Sequence, residues 1–82
     1  MFIGSDPFRA DIIINDDSVS RRHARLEYEG EQFVLYDEES GYGTRVNFTP
    51  VNLRPHVVND GDELQFGNVR TVFRIFRDAD AS

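Results

Sequence analysis

The sequence contains no cysteine and no lysine, and it has no long apolar run. The absence of cysteine excludes disulfide bonds, thiolate zinc sites and cysteine nucleophiles together. No apolar stretch approaches the roughly 20 residues of a membrane-spanning helix, and no signal peptide precedes the first motif. We therefore expect a soluble, cytoplasmic protein that has no membrane partner and uses no cofactor.

The 82 residues leave room for one small domain, since domains usually contain about 100–150 residues. A fold of this size buries only about 60% of the surface that its unfolded chain exposes, so we expect modest stability. The formal net charge is −6. Nucleic-acid binding in general needs a basic surface that neutralises phosphates, so we expect no nucleic-acid partner.

All nine basic residues are arginine, and several are clustered in the N-terminal third of the chain: Arg9, Arg21, Arg22 and Arg25. The guanidinium group is a fork of donors that suits paired contacts with phosphate or carboxylate. A genome rich in G and C explains the preference for arginine over lysine as well as a phosphate-binding function does. It does not account for the clustering.

Short apolar segments with a period of two predict β-strands throughout the chain. Residues 23–29 and 33–37 flank the turn-like Glu29-Gly30-Glu31, which predicts a hairpin. No window keeps a helical period for more than about ten residues. We therefore predict an all-β sandwich or barrel over residues 1–77, followed by a disordered tail over residues 78–82. The other predicted strands are residues 11–14, 44–46, 51–53, 57–58, 63–66 and 69–76.

Three segments between these strands are rich in groups that bind phosphate: loop 1 (residues 4–9), loop 2 (residues 18–23) and loop 3 (residues 40–44). Connections of a sandwich collect at its two ends, so distant segments can share one site. Ser20 offers a hydroxyl group and Arg21 a charged fork. The glycines of loop 3 allow backbone N–H groups to approach a ligand closely.

These segments resemble the signature of the forkhead-associated (FHA) domain family. The match begins at Gly4 and residues 11–14 and continues through Val-Ser-Arg-Arg-His-Ala at residues 19–24. It resumes at Ser40 and residues 43–47, and ends in residues 60–67, so it covers nearly the whole chain. The resemblance implies an eleven-stranded antiparallel β-sandwich of the SMAD/FHA type, of which this chain lacks the first one or two strands. Such domains bind phosphothreonine in a protein or peptide through loops at one end, without catalysis.

Carried over residue by residue, the resemblance implies that Ser20 donates a hydrogen bond to the phosphate and that Arg21 contacts it as the charged neighbour. The other matched positions would shape or brace the loops: Gly4 in loop 1, His23 in loop 2, and Gly43 and Thr44 in loop 3.

The sequence departs from the family pattern where the phosphate is held. Family members usually have arginine after the first glycine and asparagine before the Gly-Thr pair, whereas this chain has Ser5 and Tyr42 there. Gly41 replaces a residue that is often threonine. A hydrogen bond to a charged group contributes about 1.5–3 kcal/mol, so each loss weakens binding by about ten- to a hundredfold. Arg9 is our candidate for the missing guanidinium, and Arg22 is a further candidate.

Other hypotheses stay open beside phosphothreonine recognition. One keeps the fold as a phosphorylation-independent docking or oligomerisation domain, in which Tyr42 contacts the partner. A strand-exchanged homodimer is also open, because an uncovered sheet edge recruits another strand. A larger parent protein, of which this chain is a part, is a separate alternative. An enzyme is the weakest alternative, since Ser20 and His23 lack a carboxylate that would orient them. The acidic residues 37–39 are interpreted as a solvated loop.

Overall fold

The computed structural model describes residues 1–76, and these residues form nine strands. The all-β sandwich prediction is confirmed, and the described residues form nine of the eleven strands that the resemblance implies for the family. Within this range there is no helix long and apolar enough to cross a membrane. The strands are β1 (Phe2–Gly4), β2 (Ile12–Ile13), β3 (Ala24–Glu29), β4 (Gln32–Asp37), β5 (Thr44–Val46), β6 (Thr49–Pro50), β7 (His56–Val58), β8 (Glu63–Phe66) and β9 (Val69–Val72).

The strands form two sheets that pack face to face. One sheet has the order β2-β1-β3-β4-β7 and the other β6-β5-β8-β9. Every pairing is antiparallel except that of β1 with β2. Both sheets contribute one face to a shared core, whose buried apolar residues are Ile3, Val19, Ala24, Leu35, Val46, Val51, Val58, Leu64 and Phe66.

The predicted hairpin is present as β3 and β4, which pair along their whole length from Ala24–Asp37 to Glu29–Gln32. Gly30 and Glu31 connect the strands, and both have positive φ angles, 57° and 64°. This backbone conformation matches the right-handed twist of the strands.

Two strand predictions are wrong in their limits. Residues 51–53 form no strand, and the strand lies earlier, at β6. Its pairing with β5 ends with the bond from the Val51 N–H to the Thr44 carbonyl (3.0 Å), after which the chain bends at residues 52–54 and the Asn52 side chain accepts the Thr44 N–H. The last strand ends at Val72 rather than at residue 76, because β8 begins at Glu63, opposite Val72, and only the turn residues Gly61 and Asp62 bond the backbone of Phe73 beyond it. Further along, the Ile75 N–H donates to the Asp60 carboxylate (2.7 Å) and not to a backbone carbonyl of a neighbouring strand. The predicted tail, residues 78–82, lies outside the described residues.

The sandwich is open along β9, which among the described residues is paired on one side only. Thr71 is opposite Leu64 in the register, so both side chains face the space between the sheets. Leu64 is buried, whereas Thr71 is exposed. A groove of about 640 Å³ lies beside β9 and is lined mostly by apolar side chains, among them Leu26, Phe33 and Phe73.

The register of the larger sheet brings the three loops to one end of the sandwich. Ala24 follows loop 2 directly, and it pairs with Ile3 on one side and with Asp37 on the other. Ile3 stands just before loop 1, and Asp37 stands shortly before loop 3. The three loops therefore leave or enter the sheet on neighbouring strands at the same level.

Candidate functional site

Loops 1 and 2 are joined through their backbones. The Ser5 N–H donates to the Ser20 carbonyl (3.0 Å), and the Asp6 N–H donates to the Arg21 carbonyl (3.3 Å). A Cβ atom at position 4 would lie only 2.0 Å from the Arg21 carbonyl oxygen. Only glycine therefore permits the two loops to approach this closely, which gives Gly4 the loop-shaping role that the sequence suggests.

Loops 2 and 3 are joined through Ser20 and His23. The Gly41 N–H donates to the Ser20 hydroxyl oxygen (3.1 Å). The His23 ring accepts the Ser20 N–H at Nδ1 (3.0 Å), so its proton is on Nε2, which donates to the Gly43 carbonyl (2.8 Å). The ring is completely buried. His23 thus braces both loops from inside, and the structure brings together the three loops that the sequence singles out.

The same contacts test whether Ser20 and His23 could act as a catalytic nucleophile and its base. Both ring nitrogens of His23 bond backbone groups, so neither is available to take the proton of the Ser20 hydroxyl. A serine is activated by a base within hydrogen-bond reach of its hydroxyl oxygen. This arrangement does not provide one.

Asp37 holds loop 3 from below. Its carboxylate accepts the Thr44 hydroxyl (2.6 Å), the Ser40 N–H (3.1 Å) and the Ser40 hydroxyl. The Ser40 hydroxyl oxygen in turn accepts the Gly43 N–H (3.0 Å). Thr44 is completely buried, so it shapes loop 3 from the interior and presents nothing to a ligand.

The interpretation of residues 37–39 as a solvated loop is therefore wrong at its first residue. Asp37 ends β4, is only partly exposed, and satisfies donors from two residues of loop 3. Sequence reasoning missed this residue because an acidic run looks solvated. The available signal was the pair of hydroxyl residues at Ser40 and Thr44, three and seven positions downstream.

Ser20 and Arg21 are at the rim of this end of the sandwich. Ser20 is partly exposed, and because its oxygen accepts the Gly41 N–H, its proton is free to be donated to a ligand. Arg21 is exposed, and its guanidinium forms no ion pair with any residue in the range 1–76. A hydroxyl donor and an uncommitted positive charge thus occupy adjacent positions.

The other two candidate arginines are engaged elsewhere. The Arg9 guanidinium pairs with the Asp6 carboxylate. The Phe8 N–H and then Arg9, both bonded to this carboxylate, lower the pKa of Asp6 below its ordinary value. Arg22 lies over the Phe2 ring, 4.1 Å from its centroid, and donates from Nε to the Arg9 carbonyl (3.2 Å). Either arginine has to leave these contacts to reach a ligand at Ser20.

The positions that depart from the family pattern differ in exposure. Ser5 in loop 1 is partly buried, whereas Gly41 is open to solvent and Tyr42 keeps 67% of its surface exposed. A Cβ at Gly41 would meet no atom within 4 Å. Loop 3 therefore presents a bare backbone at Gly41 and a large aromatic ring beside it.

Two further connections were not predicted from sequence. The turn between β8 and β9 contacts the same end of the sandwich through the buried Ser18, whose hydroxyl oxygen accepts the Asn68 N–H (2.8 Å). Asn52 reaches loop 3 from the connection after β6, where its Oδ1 accepts the Thr44 N–H (3.4 Å). Asp16-Asp17-Ser18 predicts a local turn, but no sequence pattern points to a partner 50 positions away.

Comparison with protein-family models gives a match to the FHA domain over residues 1–67. Among curated proteins, the chain is 44% identical over 64 residues to an oxoglutarate dehydrogenase inhibitor of Corynebacterium jeikeium, covering 78% of this chain and 43% of that protein. It is 45% identical over 64 residues to the glycogen accumulation regulator GarA of Mycolicibacterium smegmatis, covering 78% and 39%. The chain thus spans less than half the length of these relatives.

Solved structures give the same result for the fold. An FHA domain studied for phosphothreonine-dependent interactions superposes with a TM-score of 0.81 at 30% identity, covering 93% of this chain and 76% of that one. EmbR of Mycobacterium tuberculosis, solved with a low-affinity phosphopeptide, also gives 0.81, at 28% identity, covering 90% of this chain and 19% of that one.

Proposed function

The chain belongs to the FHA domain family, and we propose that it recognises phosphothreonine on a protein partner, without catalysis, through Ser20 and Arg21. The observation that carries the assignment of these residues is the 3.1 Å hydrogen bond from the Gly41 N–H to the Ser20 hydroxyl oxygen. In this bond the hydroxyl oxygen is the acceptor, which leaves the Ser20 proton available for donation to a ligand at the rim of the three loops. The phosphothreonine-dependent interactions of a similar FHA domain support the same function.

Local charge makes phosphate binding feasible on an acidic chain. A phosphothreonine carries about −1.5 to −2 charges at pH 7, which a net charge of −6 repels in general. Arg21 provides uncommitted positive charge next to Ser20. Arg9 compensates the Asp6 carboxylate in the adjoining loop, so the carboxylate repels the ligand less than a free one does. A charged donor at this position contributes roughly twice as much as a neutral one.

We also propose that the module works in the cytoplasm, where kinases consume ATP to make phosphothreonine, and that its partner is a phosphorylated protein under regulation. The names of the relatives, an inhibitor and a regulator, support this partner class. The domain limit after residue 77 stays a prediction, since the family match ends at residue 67.

A titration followed by backbone amide chemical shifts tests the function. The ligands are matched peptide pools whose central residue is phosphothreonine, phosphoserine or unmodified threonine. We expect the amide signals of Ser20 and Arg21 to move only with phosphothreonine, and Ser20→Ala and Arg21→Ala each to weaken binding about ten- to a hundredfold. Arg74→Ala is the matched control. Arg74 is an exposed arginine whose guanidinium lies near Gly61, and Gly61 is in the turn after β7. An equal response to unmodified peptide contradicts the proposal.

Tyr42 supports a second candidate function, phosphorylation-independent docking. Its ring is two-thirds exposed beside Gly41, at the position where the family usually has asparagine. Exposed aromatic residues often anchor protein interfaces. In the same titration, this function predicts equal shifts with all three pools and loss of binding in Tyr42→Ala but not in Ser20→Ala.

A further inference from the structure

Asn52 has a side-chain amide that is built into loop 3 although it comes from a different connection. A Cβ at Gly43 would lie 3.3 Å from Asn52 Nδ2 and 3.4 Å from Oδ1. The amide nitrogen and oxygen therefore lie close against the glycine, and a side chain at position 43 would crowd them. Gly43 also has a φ angle of +90°, a conformation that side chains rarely adopt.

The orientation of this amide is determined by its neighbours. The Thr44 N–H is a donor, so the atom that accepts from it must be the oxygen, Oδ1. The backbone is fixed next to it, because the Val51 N–H donates to the Thr44 carbonyl (3.0 Å) and Val51 is only 2% exposed. Asn52 thus pairs with Thr44 much as a neighbouring strand would.

The amide nitrogen is left as an unused donor. Nδ2 carries two N–H groups, and within residues 1–76 it has no hydrogen-bond partner, while the residue as a whole is exposed. A donor that is already oriented loses little entropy when it binds an acceptor. Being neutral, it suits a peptide carbonyl rather than a phosphate dianion, for which the rim has Ser20 and Arg21.

We propose that Asn52 donates a hydrogen bond to the main chain of the bound peptide, next to the phosphothreonine. Tyr42 lacks an amide, so loop 3 itself supplies no side-chain amide, and Asn52 brings one to it from the β6–β7 connection. Gly41 bonds Ser20 and Gly43 contacts Asn52, and neither glycine carries a side chain, so a peptide backbone can lie close to loop 3 on either side of Tyr42. This inference rests on the proposed phosphothreonine recognition and adds a contact to the ligand's backbone.

The test compares two ligands on the full chain: a peptide pool with a fixed central phosphothreonine, and inorganic phosphate. We expect Asn52→Ala to weaken peptide binding about two- to tenfold, the effect of one neutral hydrogen bond, and to leave phosphate binding unchanged. Asn52→Asp keeps the oxygen that accepts from Thr44, replaces the N–H donors by a second oxygen and adds a negative charge. We expect it to weaken peptide binding at least as much, because its charge also repels the phosphate.

Each other outcome overturns the inference. Unchanged peptide affinity in both variants means that Asn52 makes no contact with the ligand. An equal loss for peptide and inorganic phosphate in Asn52→Ala means that Asn52 acts only through the shape of loop 3. If the unsubstituted chain binds the unmodified pool equally well, the proposed function fails together with the inference. If it binds phosphothreonine selectively and only the Asn52 variants are neutral, the function stands alone.

Discussion

The Thr44 hydroxyl donates a 2.6 Å hydrogen bond to Asp37 Oδ1 beneath loop 3, where Thr44 has no exposed surface. A buried hydroxyl that loses its acceptor costs about 1–3 kcal/mol, more than an average hydrogen bond contributes. Asp37 also accepts two bonds from Ser40. The shape of the rim therefore depends on a carboxylate that holds loop 3 through Thr44 and Ser40.

We expect Asp37→Ala to lower the free energy of unfolding by about 2–4 kcal/mol, because the donors of Thr44 and Ser40 are left without an acceptor. Urea unfolding followed by circular dichroism measures the change. Asp17→Ala removes the same charge from an exposed residue and should alter stability by less than about 0.5 kcal/mol. Equal stability of the two variants would show that Asp37 does not support loop 3.

The ion pair between Arg9 and Asp6 determines whether Arg9 can serve as the missing guanidinium. The Arg9 side chain is 53% exposed, although the Asp6 side chain keeps only 15% of its surface, and an ion pair at the surface contributes only about 0–1 kcal/mol, so a phosphate dianion can compete for the arginine. If Arg9 moves to the ligand, Arg9→Ala weakens phosphopeptide binding about ten- to a hundredfold. Asp6→Asn then strengthens binding in the natural chain and much less in the Arg9→Ala background. Calorimetric titration of the four proteins checks this, and unchanged affinity in Arg9→Ala ends the proposal for Arg9.

Local patterns and the family resemblance predicted the parts of the molecule in which sequence neighbours cooperate. The β3–β4 hairpin needs only alternating residues around Gly30, and loop 2 has its own signature from Ser20 to His23. Asn52 could not be found this way. Val-Asn-Leu at residues 51–53 has the pattern of a strand, and only the structure shows that the pairing with β5 stops at Val51 and leaves Asn52 in a bend that supports the rim.

Phe48 occupies a backbone conformation that is costly for a bulky residue. It follows Asn47 in the turn between β5 and β6, has a φ angle of +71°, and is 65% exposed. A residue other than glycine with this φ angle destabilises the folded state by about 1–3 kcal/mol. Glycine removes this strain, but it also makes the unfolded chain more flexible, which cancels part of the gain. We expect Phe48→Gly to raise stability by about 1 kcal/mol and the melting temperature by about 4–8 °C.

Phe8→Gly is the matched control for that measurement. Phe8 is 93% exposed and is not among the residues with positive φ. Glycine at this position therefore relieves no strain and only increases the conformational entropy that the chain loses on folding. We expect this variant to be neutral or slightly less stable in thermal unfolding. A decrease in the melting temperature of Phe48→Gly would show instead that contacts of the ring, such as the Arg70 guanidinium 5.7 Å from its centroid, outweigh the strain.

The Asp16 carboxylate links stability to acidic pH. The Ser18 hydroxyl (2.5 Å) and the Ser18 N–H (2.9 Å) both donate to Asp16 Oδ2 and hold its pKa below the ordinary value of 3.8. A depressed folded-state pKa gives stability that is complete above the unfolded value and is lost as pH falls through the folded one. We expect Asp16→Asn, whose amide oxygen can accept both bonds, to reduce the loss of stability below about pH 4. Urea unfolding from pH 7 to pH 3 tests this, and an identical pH profile for both proteins contradicts it.

The open side of the sandwich predicts self-association. Along β9 one edge of the sheet is unpaired among residues 1–76, and next to it lies the apolar groove that leaves Thr71 exposed. Unpaired edges beside apolar surface recruit further strands, so we expect a concentration-dependent dimer in sedimentation velocity. Thr71→Lys places a charge on the face of β9 that points between the sheets and should shift the equilibrium to monomer. Arg45→Lys, on β5 within the same sheet, keeps its charge and should not. A monomer at every concentration would mean that the edge is protected by other means.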